Sequence, residues 1–193
     1  ILIAWDALVI SFSNPHHTDN IIMALVKPVG ATEWWLTGVY GPQLDAEKLE
    51  FLNELLEVRE LHVGSWLMVG DFNLLIKNNT LINRKMMSRF RAKLNRMELK
   101  EMYLNGRKFM WSNKRENVTL EKIDHVFMAG DWEDLYPSCF LAAIRTATSD
   151  HCPLLVDLHA YFQMGQHFRF ESFWPKAEGF MDTVCQPWNT IPL

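Results

Sequence analysis

Apolar residues in the first 158 positions come in short runs separated by turn residues, which predicts a chain rich in β-strands. Two stretches differ, because their apolar residues recur at the spacing of a helix. Residues 160–193 show neither pattern and are broken by Pro175, Pro187 and Pro192, so we expect little regular structure there. The predicted strands cover residues 1–10, 21–26, 34–40, 66–69, 109–112, 123–128, 142–145 and 154–158.

The two helical stretches are amphipathic. In the first, Asp45 is a candidate N-cap, the inward face is rich in leucine, and the glutamate-rich outer face is predicted to be solvated. The second spans residues 84–100 and has a strongly basic outer face. A short third helix is expected at 131–136, and a turn at 14–17. The inward positions are Leu49, Leu52, Leu55 and Leu56 in the first helix and Met87, Phe90, Leu94 and Met97 in the second.

The stretch Trp66-Leu67-Met68-Val69-Gly70-Asp71-Phe72-Asn73 is the most informative part of the chain. Its four leading apolar residues predict a short buried strand, which Gly70 ends, and Asp71 and Asn73 follow. In open α/β sheets, ligands bind just beyond the carboxyl ends of the strands, so these two side chains are candidates for one small polar site. A simple Gly-Asp turn at a strand end is the alternative interpretation.

Other polar side chains stand at strand ends or in adjoining loops, namely Tyr40, Asp150 and His151. Asp124 instead lies within an apolar strand, where an unpaired carboxylate is costly, so it needs a partner. We predict that this partner is His151, because a carboxylate holds an imidazole in one tautomer and makes it a better base. Together with the residues after the central strand, this set suits Mg²⁺, which prefers carboxylate oxygens and shares them with a substrate phosphate.

The chain has 193 residues, 49% of them hydrophobic and 22% charged, which suits one globular domain with a sizeable core. Its formal net charge of −4 argues against bulk electrostatic attraction to nucleic acid. The second predicted helix nevertheless carries a local basic face, which either contacts a phosphate backbone or is simply solvated. The candidates for nucleic-acid contacts are Arg84, Lys85, Arg89, Arg91, Lys93 and Arg96.

The cysteines Cys139, Cys152 and Cys185 are odd in number and form no Cys-x-x-Cys pair, which argues against a disulfide framework or a zinc knuckle. We therefore expect a reducing compartment, the nucleus or the cytoplasm, rather than secretion. The sequence has no apolar run near the roughly 20 residues that a membrane helix needs, and its start lacks the basic segment of a signal peptide. Because it also begins without Met, residues 1–6 are expected to come from the interior of a longer domain.

Four motifs occur in the order Val39-Tyr40-Gly41-Pro42, Gly70-Asp71-Phe72-Asn73, Ile123-Asp124-His125-Val126 and Ser149-Asp150-His151-Cys152-Pro153. Together they resemble the endonuclease/exonuclease/phosphatase superfamily, which includes the apurinic endonucleases and deoxyribonuclease I. Further segments resemble the nuclease domain of plant LINE-type (non-LTR) retrotransposon polyproteins more closely. They are Thr37-Gly38-Val39-Tyr40-Gly41-Pro42, Leu104-Asn105-Gly106-Arg107-Lys108-Phe109-Met110-Trp111-Ser112, and Phe168-Arg169-Phe170-Glu171 leading to Trp174.

This resemblance implies a deoxyribonuclease I-like α/β fold, a sandwich of two sheets flanked by helices. The nuclease domain would cover residues 1–158 and lack its first strands. Residues 159–193 would form a C-terminal extension like the linker toward a reverse transcriptase. The resemblance also implies hydrolysis of DNA phosphodiester bonds, with Mg²⁺ or Mn²⁺ as the cofactor and DNA as the partner.

The resemblance further implies a role for each candidate residue. Asp71 would align or activate the attacking water, and Asn73 would hold Asp71 and the phosphate in place. Asp150 would contact the metal or protonate the leaving group. His151, oriented by Asp124, would act as a base or clamp the scissile phosphate. Tyr40 would contact the phosphate.

Two departures from the family change this expectation. The family carries an Asn and a metal-binding Glu on strands before the segment that residues 1–6 match, and it often has an aromatic residue or Arg in place of His125. Loss of a metal ligand would weaken Mg²⁺ binding, so we expect weak or no cleavage. Two alternatives stay open: a non-catalytic remnant that at most binds nucleic acid, and a phosphodiesterase or phosphatase of the same fold acting on a lipid or inositol substrate.

Overall fold

The chain falls into two compact units, Ile1–Gln163 and Met164–Leu193. In the second unit, which includes most of the predicted 159–193 extension, the described helical residues are the short 3₁₀ helix Trp174–Lys176 and the α-helical residues 180–181 and 183–184. No helix in the described ranges combines the length and the apolar character needed to cross a membrane. The computed structural model describes residues 1–74, 84–105, 111–112, 120–144, 146, 149, 151–160, 173–176, 179–181 and 183–184.

In its described residues, the first unit contains eleven strands and three α-helices, so it is a mixed α/β domain. Its helices are α1 (Lys48–Leu61), α2 (Arg84–Arg96) and α3 (Gly130–Leu135). Its strands are β1 (Ile10–His17), β2 (Ile21–Pro28), β3 (Trp34–Tyr40), β4 (Trp66–Asp71), β5 (Leu99–Glu101), β6 (Leu104–Asn105), β7 (Trp111–Ser112), β8 (Leu120–Glu121), β9 (Asp124–Ala129), β10 (Phe140–Ala143) and β11 (Leu154–Asp157).

A six-stranded mixed sheet with the order β1-β2-β3-β4-β9-β5 forms the centre of this unit. β3 and β4 are parallel, and the other neighbours in this sheet are antiparallel. A second sheet has the order β11-β10-β6, and β7 pairs with β8 in a separate hairpin. The two-sheet α/β sandwich predicted from the sequence is therefore confirmed.

Both faces of the six-stranded sheet are buried. Successive side chains on each strand point to opposite faces, so neighbouring residues belong to different cores. On β4, Met68 joins a core with Phe51 of α1 and Phe90 of α2. Its neighbour Leu67 joins a second core with Trp132 of α3. The helices α1 and α2 thus cover one face, while α3 and the second sheet cover the other.

The first helix begins later than predicted. Asp45 is not its N-cap, since the cap residue is Glu47 and no side chain caps the first turn. Asp45 instead accepts a hydrogen bond from Lys48 Nζ at 2.7 Å. Leu49, predicted to face inward, is 40% exposed, and Phe51 takes an inward position beside the predicted Leu52.

The predictions for the amino-terminal residues were wrong in two places. Residues 1–9 form no strand, and β1 runs instead through the predicted turn at 14–17. The chain accommodates the turn residues by a β-bulge between Ser13 and His16, with Asn14 at φ +50°. Asparagine tolerates this left-handed conformation, so the strand bends without ending. A bulge and a proline on an edge strand also discourage pairing with another chain.

Other boundaries moved by a few residues. The second helix ends at Arg96 rather than at 100, because Glu98 turns the backbone at φ +55° and Leu99 begins an edge strand paired with Ala129. The four predicted inward positions of this helix are buried. Of the predicted strand 109–112, only the last two residues are described, and they form β7.

Gly70 is required where β4 approaches β3 most closely. Its φ is +145°, and a Cβ atom there would lie 2.0 Å from the carbonyl oxygen of Val39. Only glycine fits such an approach without displacing the neighbouring backbone. The predicted strand-breaking residue is therefore part of the strand, and it brings Asp71 into register with Tyr40.

We expect the Gly70→Ala variant to lose about 2 kcal/mol or more of unfolding free energy, because it combines backbone strain with a steric clash. Urea unfolding followed by circular dichroism would measure the loss. Gly130→Ala is the matched control, since a Cβ atom at Gly130 meets nothing within 4 Å. Its free energy of unfolding should stay within about 0.5 kcal/mol of the unmodified chain. Equal stability of both variants would contradict the close approach.

Candidate active site

Strands β3 and β4 end, and β9 begins, at the same end of the six-stranded sheet, which we call the site edge. Tyr40 is the last residue of β3 and pairs with Asp71, the last residue of β4. Asp71 also pairs with Asp124, the first residue of β9, because β9 runs antiparallel to β4. The sheet therefore brings together three side chains that are far apart in the sequence.

His151 completes a compact polar cluster at this edge. One ligand atom each from Asp71, Asp124 and His151 lies within 4.8 Å of the other two. Nδ1 of His151 is 2.8 Å from Oδ2 of Asp124, which confirms the predicted hydrogen bond between them. Because Nδ1 is engaged by the carboxylate, the second ring nitrogen, Nε2, is left for a substrate or a proton.

The residues after β4 form a turn closed by their own side chains. The backbone N–H of Asn73 donates to Oδ1 of Asp71 at 2.9 Å, and Asn73 Nδ2 donates to the carbonyl of Gly41 at 2.8 Å. Asn73 has a φ of +48°, a conformation that asparagine tolerates better than most residues. Phe72, between the two polar residues, is fully buried and anchors the turn in the core.

The electrostatics of the cluster favour a bound cation. Burial raises the pKa of the Asp71 carboxyl, the Asn73 backbone N–H opposes the rise, and the nearby Asp124 carboxylate adds to it. Two carboxylates held this close repel each other, and a cation relieves the repulsion. Oxygen donors of this kind fit a hard divalent ion, so the described residues are compatible with a metal site.

Of the other predicted site residues, Tyr40 is described by the structure and Asp150 is not. Tyr40 lies at the correct edge and is half exposed. Asp150 lies outside the described residues, although Ser149 beside it accepts a hydrogen bond from the His151 backbone at 3.1 Å. The cluster therefore includes Asp71, Asp124 and His151, with Asn73 closing the adjacent turn.

The basic face of α2 is divided between two environments. Arg84, Lys85 and Arg89 are exposed. By contrast, Lys93 donates to Asn53 Oδ1 at 2.9 Å, and Arg96 pairs with Glu60 at 2.6 Å. The end of the helix thus contacts α1, whereas its beginning presents positive charge to solvent.

His125, to which the sequence pattern gave no role, is a buried side chain with a carboxylate partner. Its Nδ1 lies 2.7 Å from Oε1 of Glu101, and Lys122 Nζ lies 2.5 Å from the same oxygen. Burial works to raise the pKa of Glu101, but the hydrogen bond and charge of His125, with Lys122, outweigh it and lower this pKa to about 2. The sequence feature that could have indicated this role is a histidine within an apolar strand, directly after Asp124.

Comparison with known proteins identifies the fold. No protein-family model and no curated protein matches the sequence. The chain is similar in structure to the endonuclease domain of TRAS1, a telomere-specific non-LTR retrotransposon, with a TM-score of 0.65, 17% identity, and coverage of 82% of this chain and 72% of that one.

Two further solved structures are similar to this chain. Beta toxin from Staphylococcus aureus gives a TM-score of 0.54 at 13% identity, covering 72% of this chain and 56% of the toxin. An endonuclease/exonuclease/phosphatase family protein from Bacteroides thetaiotaomicron gives 0.53 at 13% identity, covering 79% of this chain and 66% of that protein. The chain therefore has the deoxyribonuclease I-like fold of the endonuclease/exonuclease/phosphatase proteins, as predicted.

The buried Glu101 should make stability depend on pH in the acid range. Its pKa falls from 4.5 to about 2 on folding, so its stabilising effect is complete above pH 4.5 and is lost as the pH falls through 2. Each unit of pKa is worth about 1.4 kcal/mol, so full protonation removes on the order of 3 kcal/mol. Glu101→Gln should be less stable at pH 7 and lose less stability between pH 4.5 and 2, as measured by urea unfolding.

The control for this prediction is Glu33→Gln. Glu33 pairs with Lys27 at 3.3 Å on the surface, where ion pairs contribute little to the free energy of unfolding. Its unfolding free energy should follow that of the unmodified chain at every pH. An unchanged acid dependence in Glu101→Gln would show that the buried pair is not the source.

Proposed function

We propose that this chain is a retrotransposon-type endonuclease, which hydrolyses phosphodiester bonds of DNA with the help of a divalent metal. The observation that carries the proposal is the cluster of Asp71, Asp124 and His151 at one sheet edge, with ligand atoms within 4.8 Å of one another. The fold similarity to a retrotransposon endonuclease domain supports it.

The roles proposed for the cluster follow from its hydrogen bonds. Asp124 holds the His151 ring through Nδ1, so Nε2 is positioned to exchange a proton with the substrate or to bind its phosphate. Asp71, fixed by the Asn73 backbone N–H, aligns the attacking water. Tyr40 at the adjacent strand end contacts the phosphate. These assignments agree with those implied by the sequence motifs.

A bound Mg²⁺ or Mn²⁺, held by Asp71 and by Asp150 as the proposed second ligand, would supply positive charge opposite the phosphate. We propose that this binding is weak. Of the two carboxylates in the described cluster, Asp124 is already hydrogen-bonded to His151. A site with so few carboxylate oxygens depends on substrate phosphate to complete the metal's ligand shell.

DNA is favoured over a lipid or inositol substrate by the charge on α2. The beginning of this helix exposes Arg84, Lys85 and Arg89. Arginine and lysine on one surface neutralise successive phosphates of a nucleic-acid backbone, whereas a small phosphorylated headgroup requires no such extended surface. We propose that these residues contact DNA next to the cleavage site.

We expect the unmodified chain to nick plasmid DNA slowly and to require Mg²⁺ in the millimolar range. Asp71→Ala should abolish nicking, and His151→Ala should lower its rate by about 10²–10⁴-fold, because each removes a group that acts in the transition state. Agarose-gel quantification of relaxed plasmid would measure the rates. The matched control is Glu57→Gln, on the exposed side of α1, which should nick at the unmodified rate.

Two outcomes would favour other functions. DNA binding without cleavage by the unmodified chain would favour the non-catalytic alternative. Hydrolysis of a sphingolipid phosphodiester to its soluble phosphomonoester, or release of phosphate from an inositol phosphate, without nicking of DNA, would favour the lipid or inositol alternative. Nicking that survives Asp71→Ala would remove the proposed centre altogether.

The basic surface of α2 should control DNA affinity. Changing Arg84, Lys85 and Arg89 together to Gln should weaken binding about tenfold or more at low salt and reduce the salt dependence of the Kd, because about three phosphate contacts are lost. Fluorescence anisotropy with a labelled duplex at several salt concentrations would measure both effects. Lys27→Gln, on β2, removes one positive charge from another element and should leave the Kd nearly unchanged.

A further inference from the structure

His125 is a buried side chain that the proposed hydrolysis does not use directly. It follows Asp124 on β9 and is 1% exposed. Its ring lies among Phe72, Phe90 and Phe127, at centroid distances of 5.8, 6.2 and 5.4 Å. A polar ring in such surroundings is costly unless its nitrogens are hydrogen-bonded, so its partners indicate its role.

Both ring nitrogens of His125 face hydrogen-bond acceptors. Nδ1 lies 2.7 Å from Oε1 of Glu101, and Nε2 lies 3.1 Å from the backbone carbonyl oxygen of Leu74. A carbonyl oxygen only accepts, and so does an ionised carboxylate. The hydrogen bond to the Leu74 carbonyl therefore requires that Nε2 carries the proton and donates it.

The Leu74 carbonyl lies one residue beyond the turn of the candidate active site. On one side, this turn is held by Asn73, which donates to Asp71 and to the Gly41 carbonyl. On the other side, the His125 bond joins the backbone after the turn to β9. β9 also supplies Asp124, so one strand holds both the turn and the His151 ring.

We propose that His125 is a positioning residue, which fixes the Asp71–Asn73 turn relative to Asp124 and His151 by clamping the Leu74 carbonyl. Glu101 in turn fixes the ring. The catalytic consequence rests on the proposed hydrolysis, whereas the clamp itself does not. The geometric and catalytic parts are therefore tested by separate measurements.

The geometric part is tested by amide hydrogen exchange in the double variant His125→Phe/Glu101→Gln. Phenylalanine keeps an aromatic ring among the neighbouring phenylalanines, and glutamine avoids leaving a buried carboxylate without its histidine partner. We expect exchange at the Asn73 amide to quicken about tenfold or more, while strands β2 and β3 stay protected. His125→Arg supplies donors for both acceptors and should recover most of the protection.

Phe127→Leu is the control for a purely structural effect. Phe127 lies on the same strand and in the same aromatic cluster, but outside the clamp. This variant should lower the melting temperature without selectively exposing the Asn73 amide. If it quickens exchange at Asn73 as much as the double variant does, the proposal is wrong.

A second measurement needs no substitution. Nitrogen-15 NMR of the unmodified chain should show a proton on Nε2 of His125 that is hydrogen-bonded to the Leu74 carbonyl. An unprotonated Nε2 would overturn the clamp.

The catalytic part is tested by steady-state nicking. The double variant should lose about tenfold or more in kcat with a smaller change in KM, and His125→Arg should recover it. Changed Asn73 exchange with unchanged kcat would refute the catalytic role alone. If the unmodified chain does not nick DNA, the proposed function fails, whereas the exchange result still decides the clamp.

Discussion

The pairing of β4 with two neighbours of opposite direction is the constraint on which the rest of this structure depends. β4 runs parallel to β3 and antiparallel to β9, and this register places Asp71 beside both Tyr40 and Asp124. A slip by one residue would move every side chain of β4 to the other face of a sheet that is buried on both faces. The hydrophobic cores thus fix the register, and the register assembles the polar cluster.

Two histidines use a carboxylate partner in different environments. The His151–Asp124 pair is partly open to solvent, with the two side chains 33% and 14% exposed. The His125–Glu101 pair is closed, with the side chains 0% and 9% exposed. Solvent access leaves the first pair open to proton exchange, as the proposed function requires, whereas burial suits the second to the positioning role that we propose.

Helices α1 and α2, which cover one face of the sheet, carry opposite charges on their outer sides. α1 carries glutamates on its outer side, and its Glu60 pairs with Arg96 near the end of α2. This contact compensates positive charge at one end of α2 while its beginning stays exposed and basic. Such an arrangement explains how a chain with a formal net charge of −4 can still present a local surface suited to phosphates.

Local sequence patterns were sufficient for much of the fold and for the main candidate residues. The apolar run at 66–69 identified β4, and the isolated carboxylate in an apolar strand identified Asp124 as a residue in need of a partner. The three inward residues of α2, Met87, Phe90 and Leu94, followed from their spacing. These features depend on neighbours in the chain, and burial of one apolar face leaves a clear periodic signal.

Other features were decided by contacts between distant residues. Asp45 is a residue type that often caps a helix, yet α1 begins at Lys48 and Asp45 accepts a hydrogen bond from the Lys48 side chain instead. Residues 14–17, predicted as a turn, are part of β1 because this strand pairs with β2. The burial of His125 depends on Glu101 and Leu74, which lie 24 and 51 positions away in the sequence. The sequence alone therefore indicated most of the longer strands, the helices and the chemistry of the candidate residues. The tertiary structure decided the element boundaries and most contacts between distant residues, because hydrogen bonds and ion pairs between remote residues leave no periodic trace.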